Sequence, residues 1–303
     1  GLAVSWSYFW LYHVERGQFY IFYVFLFSLA YWFFRQAHRN EKKNQWYYLA
    51  CGLILGLATA LRPPLAIFFI PFLFSIRRYL LIFIGSAISF ILLVAGSIAV
   101  FGASLWSSYF RAMSIFGQYN FNHQIISVSW LNPIITEYRQ SGTNSYVNLI
   151  GSNTSLVHIL HFFTRIDISA IGLFILSAFV LVAVVWFLRR YQASLKDCRL
   201  IFLAGLSLVL ILDLFLPNFR GCYNEIMCLL PLLLIAQVDD AIISNILIVP
   251  VILLLLSILI ITSNHNSFVF LFLSLPIIEY FILVSIIGLT VLAVIRQKPK
   301  SLI

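Results

Sequence analysis

Two short polar phrases interrupt a chain that is otherwise apolar. One is His13-Val14-Glu15-Arg16-Gly17-Gln18, and the other is Arg62 followed by Pro63 and Pro64. Hydrocarbon penalises charge and unpaired backbone, so both phrases need a reason to be there. Their residue types supply two halves of a group transfer. Glu15 is a carboxylate that can take a proton, and Arg16 and Arg62 are fixed cations that can hold an anionic leaving group. A third polar cluster, Asn218, Arg220, Tyr223, Asn224 and Glu225, follows Pro217, with Asp213 about a turn deeper. An unpaired carboxylate at that position is costly, so Asp213 is expected to pair with an arginine or to stay protonated.

Each of these residues also has a plainer reading. Arg62 can be an arginine snorkelling at a helix end. Gln18 either bonds a substrate hydroxyl or caps its helix. Glu15 either acts as the base or pairs locally with Arg16 or His13.

The elements that would position these groups are membrane helices. Of 303 residues, 62% are hydrophobic and 10% charged, and the mean hydropathy is +1.00, values that exclude a soluble domain of this length. Apolar segments fall near Phe19–Phe34, Trp46–Leu61, Leu65–Ile76, Tyr79–Phe101, Ala170–Leu188, Leu200–Leu216, Ile226–Val238, Ala241–Thr262 and Phe268–Ile295, with Gly1–Tyr12 resembling the tail of another. The expected architecture is an all-α, polytopic membrane bundle of about nine spans plus a partial first one. It forms a single domain over residues 1–303, with residues 103–169 inserted as an outer loop. Trp46–Leu61 and Leu65–Ile76 fall short of the roughly 20 residues a span needs. They are read as a hairpin whose tip, Arg62-Pro63-Pro64, stops below the far surface. The chain opens on Gly1 inside an apolar run, so its start is expected to lie upstream.

The net charge of +9 is a topology signal. Alternating the spans places thirteen of the nineteen Lys and Arg residues on one side: Arg35, Arg39, Lys42, Lys43, Arg77, Arg78, Arg189, Arg190, Lys196, Arg199, Arg296, Lys298 and Lys300. Arg16, Arg62, Arg111, Arg139, Arg165 and Arg220 fall opposite, without one lysine. The bias makes the first side cytoplasmic and leaves no case for a nucleic-acid partner. Asp239 and Asp240 then lie in a cytoplasmic turn and are expected to be simply solvated. Glu279, inside the last span, either faces the bundle interior or marks a second break.

Loop mass lies on the outer side. Trp106–Phe116 and Ser155–Phe163 mix aromatic, aliphatic and polar residues in a way that suits interfacial helices. Between them, residues 118–124 combine amides with aromatic rings, which fits a sugar and equally fits an ordinary polar loop. The cysteines Cys51, Cys198, Cys222 and Cys228 show neither metal spacing nor a disulfide framework, and apolar packing is their expected role. His158 and His161 share a helix face but lack the further ligands a metal needs.

Taken in order, the pieces resemble a known family. Gly17-Gln18 opens an apolar helix, and a basic turn follows. Next comes the glycine-spaced run Gly52-Leu53-Ile54-Leu55-Gly56-Leu57-Ala58-Thr59-Ala60-Leu61, which ends at Arg62-Pro63-Pro64 and leads to Arg77-Arg78. This resembles glycosyltransferase family 87, the polyprenol-phosphate-mannose-dependent type of the GT-C superfamily. Arginine stands here in place of that family's lysine, exchanging a point charge for a fork suited to phosphate oxygens. Asn153-Thr154-Ser155-Leu156 resembles the family's outer-loop stretch, and Pro217–Tyr223 its later proline–aromatic turn.

The resemblance implies transfer of a mannose-like sugar from a polyprenyl-phosphate donor to a glycan or glycolipid acceptor. The reaction would be inverting, on the outer side of the cell membrane; no cofactor is expected, and none of the candidate residues is assigned to a metal. It implies substrate contacts from Arg16, Gln18, Arg62, Asn153, Ser155, Arg220, Tyr223 and Asn224. The usual carboxylate base of such enzymes is expected upstream of residue 1, so that this chain alone would be an inactive fragment; Glu15 is the candidate base within it. A polysaccharide polymerase or ligase working on lipid-linked glycans is the competing enzyme class, and a transporter or scaffold the non-catalytic one.

Overall fold

In a computed structural model, the chain is described over residues 20–39, 45–104, 106–108, 110–111, 164, 168–215, 226–263 and 268–297. Every regular element among them is helical. They are α1 (Tyr20–Arg39), α2 (Gln45–Leu61), a 3₁₀ segment (Pro63–Phe69), the single turn α3 (Ile70–Leu73), α4 (Ile76–Phe101), α5 (Ala170–Arg190), α6 (Cys198–Phe215), α7 (Leu229–Ile235), α8 (Ala241–Ser263) and α9 (Phe268–Arg296). A helix satisfies its own backbone without water, which is why unbroken apolar runs adopt it in a bilayer. Each of the nine expected apolar segments appears as helix. Ile76–Phe101, Ile171–Arg190, Cys198–Phe215 and Ile278–Arg296 are long and apolar enough to cross a membrane, so the chain is a multi-pass helical bundle.

The two ends of the bundle are chemically distinct. At one end the turns are tied together by polar contacts. Gln192 Nε2 donates to the Phe74 carbonyl at 2.7 Å, Ser194 Oγ to that of Gln297 at 3.0 Å and Arg199 Nη1 to that of Gln237 at 2.6 Å. Arg35, Arg39, Arg77, Arg78, Arg189, Arg190, Lys196, Arg199 and Arg296 all lie in these turns or the helix ends flanking them. The charge alternation read from the sequence therefore coincides with one physical end.

Asp240 is not simply solvated there. Its carboxylate accepts from the Ile242 and Ile243 backbone N–H groups at 2.9 and 3.1 Å and from Arg296 Nε at 2.8 Å. It thus caps α8 and pins α9 to it. The Ile243 N–H leads in holding this carboxyl below the usual aspartate range, with Arg296 adding to it. Glu279 is fully buried in α9, and α9 runs unbroken through it, so it faces the interior and marks no second break.

The expected hairpin takes a different form. Residues 63–73 return from Arg62 mainly as 3₁₀ helix, and this limb packs on α6. The close partner of α2 is α4, which runs parallel to it. Glycine spacing explains the contact. A Cβ on Gly52 would fall on the Ile82 backbone, one on Gly56 on the Ser86 backbone, and one on Gly85 on that of Leu49 and Leu53. With the side chains absent the two backbones touch, and Ser86 Oγ donates across the seam to the Gly52 carbonyl at 2.9 Å. Small residues promote helix association in lipid in this way.

Below the seam, Phe34 at the heart of an aromatic cluster meets Phe72, Tyr79 and Phe202 at centroid distances of 5.5, 5.6 and 6.0 Å. Cys51 and Cys228 are fully buried in the same apolar core, the packing role expected of them.

The seam makes a direct prediction. Gly56→Leu forces a side chain into backbone that cannot yield, beyond the ~1–3 kcal/mol of ordinary overpacking. Gly96 in α4 has open space around it, so Gly96→Ala is neutral or slightly stabilising. Thermal unfolding in detergent should show a large loss for Gly56→Leu, and none for Gly96→Ala.

Candidate functional site

The end of the bundle opposite the basic turns carries the site. Proline dictates its local structure. A residue preceding proline is pushed out of the α region, and Arg62 sits at φ −142°, ψ 88°. Its N–H still closes the last turn of α2 on the Ala58 carbonyl at 3.0 Å, while its own carbonyl accepts from Leu65 N in the first 3₁₀ turn at 2.9 Å. Pro63 and Pro64 occupy first-turn positions, where a missing N–H costs nothing. Arg62 is thus the joint between two helix types, with its side chain released from both.

The side chain turns inward to Asp213. Arg62 Nη2 lies 2.6 Å from Asp213 Oδ1, with the carboxylate 5% and the arginine 19% exposed. The guanidinium carbon sits 5.1 Å from the Tyr20 ring centroid, a cation–π contact. Nη1 of Arg62 is buried and has no hydrogen-bond partner among the described residues. Asp213 therefore takes the first of the two outcomes expected of it, and its partner is the arginine of the Pro-Pro break.

Counting residues explains why the two meet. At 1.5 Å per residue, Asp213 stands roughly 22 Å above the start of α6, and Arg62 roughly 25 Å above that of α2. The return limb gives a similar figure, roughly 20 Å, when its 3₁₀ part is taken at 2.0 Å per residue. All three are less than the roughly 30 Å of a hydrocarbon core, so the pair sits within the apolar layer.

The limb can lie close to α6 because Gly205 offers no Cβ. One built there would come 2.7 Å from the Phe68 ring and 2.8 Å from the Phe68 carbonyl. Phe68 then stacks edge-on against Phe202 at 4.8 Å.

Among the candidate residues taken from the sequence, Arg62 is described. Glu15, Arg16, Gln18, Asn153, Ser155, Arg220, Tyr223 and Asn224 lie outside the described residues, as do His158, His161 and Cys222. Tyr20 was missed. Its signal was its place two residues after Gln18, at the start of α1, the same end of the bundle as the close of α2. Of the interfacial segment expected at Trp106–Phe116, residues 106–108 and 110–111 are helical, and Trp106 Nε1 reaches back to Ser97 Oγ of α4 at 2.9 Å.

Chemically, the arrangement is a guanidinium fixed on one edge by a carboxylate and on its face by a ring. Nη1, which meets no acceptor among the described residues, can serve an anion or an oxygen ligand. A family model described as glycosyltransferase family 87 matches residues 1–216, a stretch that contains both Arg62 and Asp213. No curated protein and no solved structure matches the chain.

Removing one member of a buried pair strands the other, at about 3–5 kcal/mol. Arg62→Met or Asp213→Leu alone is expected to lower thermal stability markedly. The double variant should recover most of that loss. Additive losses would show that the pair does not couple.

Proposed function

Because the chain belongs to glycosyltransferase family 87, it is a membrane glycosyltransferase, and we propose that it moves a mannose-like sugar from a polyprenyl-phosphate donor to a glycan or glycolipid acceptor. In this reading the enzyme is of the GT-C type, in the cell membrane, and works on the side away from the basic turns. Arg62 carries the proposal. It is a cation within the apolar layer, held rigid by Asp213 and Tyr20, with a donor nitrogen to spare.

A leaving polyprenyl phosphate gains negative charge as the glycosidic C–O bond breaks. A donor fixed in advance stabilises that charge without reorganising. Asp213 cancels much of the resting charge of Arg62 and so lowers the cost of keeping it there empty. When the phosphate arrives, the guanidinium can bond both anions along different edges. The acceptor hydroxyl attacks the anomeric carbon from the face opposite the leaving oxygen, which inverts the centre, and its proton passes to a carboxylate. Glu15 is the candidate for that base. Arg16 and Arg220 are proposed as further phosphate contacts, and Gln18, Asn153, Ser155, Tyr223 and Asn224 as partners of sugar hydroxyls and apolar sugar faces. Family membership supports this reading over a transporter or scaffold, and a polysaccharide polymerase or ligase is the competing enzyme class.

Two experiments test this. The purified full-length gene product is supplied with polyprenyl-phosphate mannose and membrane acceptors, and transfer of labelled sugar is followed. A charge-assisted contact contributes ~1.5–3 kcal/mol, so Arg62→Ala, assayed below the lowered unfolding temperature expected of it, should reduce transfer by about ten- to a hundredfold. Arg62→Lys should keep part of the activity. Wild-type turnover by a folded Arg62→Ala variant would remove Arg62 from the reaction.

The orientation is read separately, with the four native cysteines replaced by alanine and single cysteines introduced. In intact cells an impermeant thiol reagent should label Ser141→Cys and spare Asn40→Cys and Lys196→Cys. The reverse pattern would place the site on the cytoplasmic side.

A further inference from the structure

The basic end of the bundle carries more cation than its acids can neutralise, and the surplus is concentrated at one corner. Asp197 is engaged by Arg199 at 3.1 Å and Asp240 by Arg296 at 2.8 Å. Arg77, Arg189, Arg190 and Lys196 are exposed, and no ion pair joins any of them to an acid among the described residues. The Gln192–Phe74 hydrogen bond, 2.7 Å, ties the turn that follows α5 to the turn that precedes α4. It therefore brings Arg189, Arg190 and Lys196 to the same corner as Arg77.

Of the four long apolar spans, the two whose ends the Gln192–Phe74 hydrogen bond links are the least buried. Only 11% of the apolar window of Ile76–Phe101, and 11% of that of Ile171–Arg190, is buried. Leu80, Ile84 and Ile88 on α4, with Phe179, Val182 and Trp186 on α5, are exposed directly beyond the cations. Tyr191, packed on Phe187 at 4.8 Å, marks the level where rings settle among headgroups. Acyl chains lying along these walls would end with their headgroups on four cations that lack acidic partners among the described residues.

We propose that this corner is a retention site for anionic membrane phospholipid, with the headgroup phosphate held by Arg77, Arg189, Arg190 and Lys196 and the chains lying against α4 and α5. The occupant is a lipid, since a free phosphate would leave the apolar walls unused. The site lies at the end opposite Arg62 and does not depend on the transfer reaction. A lysine or arginine near an anionic headgroup favours it by about fivefold. Because the cations are exposed, added salt weakens the effect.

The test reconstitutes the purified full chain in bilayer discs of phosphatidylcholine containing a minority of phosphatidylglycerol. Lipids that stay bound on release are then counted by native mass spectrometry. Phosphatidylglycerol should be retained at least about fivefold above its share of the bilayer, and less so in high salt. In Arg77→Gln/Arg189→Gln/Arg190→Gln/Lys196→Gln retention should fall to the bilayer ratio. If that variant does not fold, Arg189→Gln/Arg190→Gln should show a smaller drop and Arg189→Lys/Arg190→Lys none. Equal retention of the two lipids by the wild type, or undiminished enrichment in the glutamine variants, would overturn the proposal.

Discussion

A charge inside hydrocarbon must be matched, and the Arg62–Asp213 pair is where this protein meets that demand. The 2.6 Å contact joins the end of α2 to the upper part of α6, elements separated by 151 positions in sequence. Other features hold the pair in place. Pro63 turns the Arg62 backbone out of the helix, Gly205 lets the return limb lie against α6, and the glycine seam fixes α2 against α4. Lost solvation makes such a pair costly to build and costlier to break, so the geometry around it is rigid.

Much of this was legible in the sequence because the physics is local. Nine apolar runs became helices because each could satisfy its own backbone, and the lysine and arginine bias picked out one end because charge avoids the bilayer. On grounds of cost alone, Asp213 was expected either to pair with an arginine or to stay protonated. What was not legible depended on distant parts of the chain. Nothing in Gly52-Leu53-Ile54-Leu55-Gly56 says that its partner is Ile82–Ser86 and not the segment that follows directly. The 3₁₀ limb was hidden for a similar reason: residues 65–76 are apolar enough for either helix type, and contact with α6 decides.

Asp240 is a local signal that was passed over. An aspartate immediately before an apolar run is a helix-start residue, and its two bonds to Ile242 and Ile243 are what that position supplies. Its bond to Arg296 could not be read in advance, since that depends on the return of α9 to the same end. The two ends of the bundle thus handle charge differently. Among the described residues, one end holds the matched Arg62–Asp213 pair in the apolar layer, and the other spreads many cations at the water boundary with few acids among them.

The depth of Arg62 is set by counting, and counting has a consequence for how this sequence can change through time. One residue inserted into α2 would lift Arg62 by about 1.5 Å and swing it by about 100° around the helix axis, away from Asp213. The glycines beyond the insertion would slip out of register with α4 at the same stroke. Point substitutions can be absorbed along much of the lipid-facing surface, where only apolar character is asked for. Insertions and deletions between Gln45 and Arg62 cannot, so the length of this stretch should be more constant across lineages than the identity of most residues within it.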